Sequence, residues 1–476
     1  MIQGFPFRPS VFPGDTLTLH VSTDAPQFRV DIYRQGATLK RVLCSCWFDS
    51  RGIDFPEHAT DQDWCEDDVG EDGLRPGWPA FRVTIPKDFL SGVYIAMFVE
   101  GDGSGTMRGN TPALDFTTSD ARFGKALFVV RSPAPGRVAP ILYKLPLFTY
   151  HAYNAVGGWC LYTPQRSEPK GHENEPTFVS LRRPGGGTGG HPWDDWNYDP
   201  ADRSSSRQVF AHWDAPFIAW LEQRGYVIDY ATDLDLHADP DLLKPYSLVL
   251  SVGHDEYWSK SMRDHAERFI ESGGNFAFFS GNTCWWVVEL NGDFLFQRTG
   301  HWSPRRSENS LTGVSFRNAG EGNLDRPAVG YVVQDHDHWI FHGTGLKDGD
   351  GFGFDEELVG YEADGANFDR AQGPPFRPKL DDGTPPSFVI LGIGDVAGFS
   401  DGMGNRAATM GIYVNGQGGG TVFTGGTTDW PRVVALNREP HTVQITLNVL
   451  NRLSAARSDR IASANCIGSA DAIQPG

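Results

Sequence analysis

Apolar and polar positions alternate with a period of two over most of the first 130 residues. The runs at 16–21, 28–33, 81–85, 92–99 and 126–130 alternate or are β-branched, and Gly, Pro and Asp clusters separate them. No helical period intervenes, so residues 1–135 read as a β-sandwich domain. After the hinge Ser132-Pro-Ala-Pro-Gly-Arg-Val-Ala-Pro the pattern changes. A strand at 141–149 leads into an aromatic and glycine-rich stretch that reaches about residue 208. A helix at 216–225, closed by Gly225, is followed by a strand at 226–230. A short helix at 239–244, a buried strand at 247–252, a helix at 260–272 and a second buried strand at 275–280 repeat the unit. Strands alternating with helices call for right-handed crossovers and a parallel sheet. Residues 310–400 read as further strands and loops, 420–425 returns to the sheet, and 441–454 is a closing helix. The expectation is a β-sandwich followed by a Rossmann-like α/β domain over 136–476, with a β-rich insertion at about 290–410.

Composition narrows the function more than the fold. Against 60 Asp+Glu stand 41 Lys+Arg, a formal charge of −19, and no block of basic residues offsets it locally. Phosphate backbones and anionic lipid surfaces would be repelled, so neither nucleic acid nor a membrane is an expected partner. The N-terminus lacks a basic region followed by an apolar one, and no apolar run approaches the roughly 18 residues of a membrane span, which reads as cytoplasmic. Six cysteines, at 44, 46, 65, 160, 284 and 466, are too few and too irregular for a disulfide scaffold or a four-ligand zinc site and read as buried free thiols. The 14 Trp and 31 Phe instead suggest aromatic-lined walls.

In an open parallel sheet ligands bind beyond the carboxyl ends of the strands. Gly253-His-Asp-Glu-Tyr-Trp-Ser follows one such end. His254 and Glu256 are two apart and would share a face in extended backbone, so a carboxylate could bind a metal while the imidazole supports substrate or water. The bland alternative is a capping cluster before the helix at 260, with Ser259 as N-cap. A second strand end offers Asn282, whose amide can orient a substrate carbonyl or close a turn. A third presents Tyr150, His151, Tyr153 and Asn154; phenolate oxygens are hard donors suited to ferric iron, although a tyrosine near glycines is more often a packing residue. Four other patterns are set aside. Gly398-Phe-Ser-Asp-Gly lacks the helix a nucleophile elbow requires, and Gly185-Gly-Gly-Thr-Gly-Gly lacks the helix that would hold a pyrophosphate. Asp335-His-Asp-His is a solvated strand end, and Cys284 has no assigned histidine.

The ordered set Phe148-Thr-Tyr-His-Ala-Tyr-Asn-Ala-Val-Gly-Gly, Tyr230-Ala-Thr-Asp-Leu-Asp-Leu-His, Gly253-His-Asp-Glu-Tyr-Trp-Ser, Gly281-Asn-Thr, Val359-Gly-Tyr-Glu-Ala-Asp and Gly425-Gly-Thr-Thr-Asp-Trp resembles the large (β) subunit of N,N-dimethylformamidase, from about residue 7 to 453. The resemblance implies a β-sandwich with a glutamine-amidotransferase-like α/β domain, and a mononuclear Fe(III) held by two tyrosines and a glutamate. It implies amide hydrolysis to a carboxylate and an amine, on a small N-alkyl amide such as a formamide. Carried over by motif, Glu256 and Tyr153 are metal ligands, with Tyr198 as the second tyrosine and Tyr162 as its rival. His254 becomes a proton-transfer partner or a support behind the glutamate ligand, Glu362 a general acid/base and Asn282 a substrate-orienting amide. A separate small subunit and a homo-oligomer are implied as partners. Two departures stand out: Asp255 occupies a position where that family usually has proline, and the chain is considerably shorter than the characterised large subunit. The competing readings are a metal-free binding or scaffold protein of the same fold, and a hydrolase acting on another amide-like or sugar-derived substrate.

Overall fold

The computed structural model describes residues 2–50, 65, 77–108, 123–154, 156–157, 160–161, 178–188, 209–322, 329–399 and 404–455. Among them the chain is built of mixed sheets with few helices. Near the N-terminus, Ile2–Pro6, Thr16–Thr23 and Ala80–Thr84 make a three-stranded antiparallel sheet. Gln27–Gln35, Gly92–Gly101 and Phe123–Val130 are the middle of a six-stranded one.

The two-residue period decides what each face of Gly92–Gly101 touches. Tyr94, Ala96 and Phe98 join an apolar cluster with Leu17, Leu19 and Val21 of the smaller sheet. Val93 and Ile95, on the other face, pack with Ile141 and Tyr143 of the next sheet. Each large side chain taken fully from water contributes roughly 1.5–3 kcal/mol, so a strand buried on both sides explains a run with almost no polar positions. Leu39–Cys44 escapes the alternation rule because it is an outer strand, where exposed Lys40 and Arg41 blunt further pairing.

The central sheet has nine strands. Its first five, in spatial order Ile228–Thr232, Ile141–Leu145, Leu248–His254, Asn275–Gly281 and Thr421–Thr424, run parallel. Ala407–Val414, Val389–Asp395, Tyr331–Val333 and Gly351–Phe352 extend it antiparallel. Leu248, Leu250, Val252, Ala277 and Phe279 share one cluster with the helices Asp214–Gln223, Trp430–Leu436 and Pro440–Ser454. Val249, Phe276 and Phe278 share the other with Met262, Ala266 and Phe269 of the helix Lys260–Glu271. Covered on both faces, these strands read as continuous apolar runs.

Several local expectations are corrected. The strand expected to reach residue 149 ends at Leu145, and a helix, Leu147–Ala152, takes over. Pro146 carries no amide hydrogen to continue a ladder, and Asp233 Oδ2 accepts from Phe148 N (2.8 Å), which holds the new helix start. The helix expected at 239–244 is a series of turns; the helix lies earlier, at Asp233–Ala238, where Thr232 and Asp235 form a capping box. Of the thiols, Cys44 and Cys46 are exposed rather than buried; Cys65, Cys160 and Cys284 are buried, and all five are free. His336 pairs with Asp348 (3.0 Å) in a turn. No helix among the described residues is long and apolar enough to cross a membrane.

Candidate active site

Five of the candidate residues come together at the carboxyl ends of the central strands. Leu248–His254 delivers His254, and the next residues turn so that Glu256 returns to the same side. His254 Nε2 lies 2.5 Å from Glu362 Oε2 and 3.4 Å from Glu256 Oε2. The Tyr153 hydroxyl donates to Glu256 Oε2 (2.9 Å). Asn282 Nδ2 lies 3.5 Å from His254 Nε2. One imidazole nitrogen thus sits between two carboxylates, with a phenol on one side and a primary amide on the other. His254, Glu256, Asn282 and Glu362 are at most 5% exposed. Tyr198 and Tyr162 lie outside the described residues.

Local backbone explains the convergence. Glu362 belongs to the short strand Glu362–Gly365, held by Gly425-Gly-Thr-Thr-Asp-Trp: Thr428 N donates to Glu362 O (3.0 Å), and Asp429 Oδ2 accepts from Tyr361 N (2.9 Å). Gly281 permits the approach, since a Cβ there would lie 2.5 Å from Thr428 N and 2.6 Å from Glu362 O. The next turn along the chain is strained, with Asn282 at φ +48° and Cys284 at φ +57°. Walls are aromatic: Trp213 and Tyr361 stand edge-on to His254, each at 5.9 Å between ring centres, and stack on one another at 6.4 Å.

The neighbours not brought to this point have other partners. Tyr150 donates to Asp214, which also accepts from Tyr143 (2.7 Å), and burial pushes Asp214 up to about 7. His151 is held well below its usual value by burial and then by Arg183. Gly186 passes so close to it that a Cβ would fall 2.1 Å from His151 Nε2, which accounts for glycine there without any phosphate-binding role. Burial pushes the Cys284 thiol far up, so it is no ready nucleophile. Of Gly398-Phe-Ser-Asp-Gly, Ser400 falls outside the described residues. A cavity of about 730 Å³ opens elsewhere, between the segment at 7–18, the helix Asp233–Ala238 and the turn at 290–294, and none of the converging groups lines it.

Sequence reasoning passed over Trp213, Tyr361 and Asp364. Asp364 was within reach of it, being two residues from Glu362 on one strand and therefore on the same face. Its Oδ2 accepts from Thr283 N (3.1 Å) and so grips the strained turn that carries Asn282. Burial pushes Asp364 up to about 8, and its Oδ1 has no hydrogen-bond partner among the described residues. A carboxyl raised on folding binds its proton more tightly in the native state, so its contribution is present below about pH 4 and lost as pH rises through about 8. Urea midpoints of the wild type should therefore fall between pH 5 and pH 9. In Asp364→Asn that part of the slope should vanish; an unchanged slope would mean that Asp364 is ionised throughout.

The profile of a family described as N,N-dimethylformamidase beta subunit-like, C-terminal, matches residues 29–442. The N,N-dimethylformamidase beta subunits of an Alcaligenes species and of Paracoccus aminophilus are each 26% identical over 223 residues. That match takes in 40% of this chain and 28% of each relative, so the chain spans under a third of their length. A solved cytoplasmic protein from Salmonella typhimurium aligns with 50% of this chain and 86% of its own at 10% identity, with a TM-score of 0.27, too low to carry an argument.

Proposed function

The chain belongs to the N,N-dimethylformamidase beta subunit-like, C-terminal family, and from that premise we propose that it is an amide hydrolase cleaving a small N-alkyl amide, such as a formamide, to a carboxylate and an amine. The observation that carries this reading is His254 Nε2, 2.5 Å from Glu362 and 3.4 Å from Glu256, at the carboxyl end of a parallel strand. Hydrolysis needs water deprotonated as it adds to the carbonyl carbon, and a proton delivered to nitrogen as the C–N bond breaks. His254 with Glu362 takes the first proton and returns it to the leaving amine, so the pair is restored each cycle. The Asn282 amide has a buried oxygen without a hydrogen-bond partner among the described residues, which suits it to orient the substrate amide. Trp213 and Tyr361 exclude bulk water and strengthen the electrostatics inside.

The donor chemistry fits the metal the family implies: a phenol and a carboxylate, both hard oxygen donors, meet at 2.9 Å in a partly buried setting. Glu256 and Tyr153 would hold a mononuclear Fe(III), with Tyr198 or Tyr162 as the third donor, and the ion would supply Lewis-acid polarisation of the substrate carbonyl. In the same reading residues 1–135 are a β-sandwich and residues 136–476 a Rossmann-like catalytic domain whose β-rich insertion spans about 290–410. The shared apolar cluster of the two N-terminal sheets and the five parallel central strands support this division. The relatives' designation as beta subunits supports a separate small subunit as partner, and we place the assembly in the cytoplasm as a homo-oligomer.

Metal analysis with a visible spectrum, followed by amine release from short formamides, tests the reading. Near-stoichiometric iron, a tyrosinate-to-iron band and amine release are expected. A colourless protein that takes up no added iron and releases no amine overturns it and favours a binding protein of the same fold.

A further inference from the structure

Beneath the site lie three buried charges that touch none of the reacting groups. Lys144, 1% exposed, donates to Asp233 Oδ1 (2.5 Å) and Asp255 Oδ1 (2.7 Å), with its ammonium 4.8 Å from the centre of the Trp258 ring. Each carboxylate uses its other oxygen on a different segment. Asp233 Oδ2 accepts from Phe148 N (2.8 Å), in the first turn of the helix Leu147–Ala152 that Tyr153 closes. Asp255 Oδ2 accepts from Ser251 Oγ (2.6 Å), which lies 3.1 Å from Ser280 Oγ, itself 2.8 Å from Thr283 Oγ1. The Asp255 carbonyl accepts from Cys284 N (2.9 Å), and Glu256 N donates to Thr149 Oγ1 (3.1 Å). One ammonium therefore joins the helix that ends at Tyr153, the turn of His254 and Glu256, and the turn of Asn282.

Burying such a cluster gains little stability over an apolar core of the same volume, so its use is better sought in registry. We propose that Lys144, Asp233 and Asp255 form a positioning device that sets the helix ahead of Tyr153 against the Glu256 turn, and so brings the phenol to 2.9 Å from the carboxylate. None of the three is a catalytic residue. The placement itself is independent of the proposed reaction, and only its kinetic consequence rests on that reading.

A neutral replacement of similar size, Lys144→Met/Asp233→Asn/Asp255→Asn, keeps the local acceptors and removes the ionic bridge. Hydrogen exchange should show the amides of Glu256, Thr283 and Cys284 losing protection by about tenfold, with the strand Gly92–Gly101 unaffected. On a formamide, kcat should fall by about 100-fold while KM stays within about threefold, the signature of lost alignment rather than lost binding. Should the triple variant fail to fold, Asp255→Asn alone carries the same measurements. Unchanged protection together with unchanged kcat overturns the proposal, as does a loss of protection spread evenly over the molecule. If the wild type hydrolyses no amide, the functional reading fails, and hydrogen exchange alone decides the positioning role.

Discussion

Glu256→Gln is expected to lower kcat/KM for amide hydrolysis by about a thousandfold while leaving the fold intact. Glutamine is close to isosteric, and its carbonyl oxygen can still accept from Tyr153, which donates to Glu256 across 2.9 Å in the native protein. What it removes is charge. His254 Nε2 then faces one carboxylate, Glu362, where it faced two, and the neutral amide is a poor ligand for a hard cation. Two carboxylates converging on one buried imidazole repel each other, so melting temperature should hold or rise, the direction expected when a functional site is relieved of strain. Glu362→Gln separates the two carboxylates. It should lose turnover to a similar extent because proton transfer fails, while its metal content stays at the wild-type level. Amine release, metal content and thermal melting measured on both variants check this. Wild-type turnover and metal content in Glu256→Gln would remove Glu256 from the site.

Lys144→Met alone should be among the most destabilising single changes in the chain, by about 3–5 kcal/mol, because it strands two buried carboxylates without their common cation. Asp233 and Asp255 are both fully buried. Burial already pushes Asp233 up, and Asp255 adds to this by repulsion, against the opposing pull of Lys144. Without the ammonium that rise must grow. A carboxyl raised in the folded state contributes stability at low pH and loses it as pH rises through the raised value. The deficit of Lys144→Met relative to wild type should accordingly be smaller at pH 5 than at pH 8, read from urea midpoints at both. Neutralising both carboxylates in the same background should restore most of the loss. A deficit under about 1 kcal/mol at pH 8 would show that the charges are relieved by water rather than by Lys144.

The residue patterns carried far into this protein wherever periodicity is dictated by burial. Leu248–His254 and Asn275–Gly281 are covered on both faces, so they had to be unbroken apolar runs, and the rule for open parallel sheets pointed to the residues just beyond their carboxyl ends. His254, Glu256 and Asn282 were legible for that reason. Tyr153 was within reach of the same rule, beyond the strand Ile141–Leu145, but only family motifs singled it out from Tyr150, His151 and Asn154; Glu362 was legible only through those motifs, since it belongs to no βα unit of the parallel strands. Element boundaries were lost where a side chain from far along the chain decides them. The helix Leu147–Ala152 begins where Asp233, 85 residues away, accepts from Phe148 N, and no local propensity encodes a partner at that distance. The outer strand Leu39–Cys44 was missed because exposure removes the alternation that identifies a strand.

By itself, then, the sequence determined the order of β-rich and α/β stretches, the buried parallel strands and the polar groups beyond their ends, because burial imposes a period that can be read one residue at a time. Tertiary structure alone decided that Asp255, on the face opposite His254 and Glu256, meets Lys144. It also decided that Gly281 lets Glu362 close on His254, and that Asp364 grips the turn of Asn282. Those outcomes rest on contacts between segments about 80 to 110 residues apart, whose geometry is set by packing and by the cost of burying an unpaired polar group, neither of which leaves a local trace.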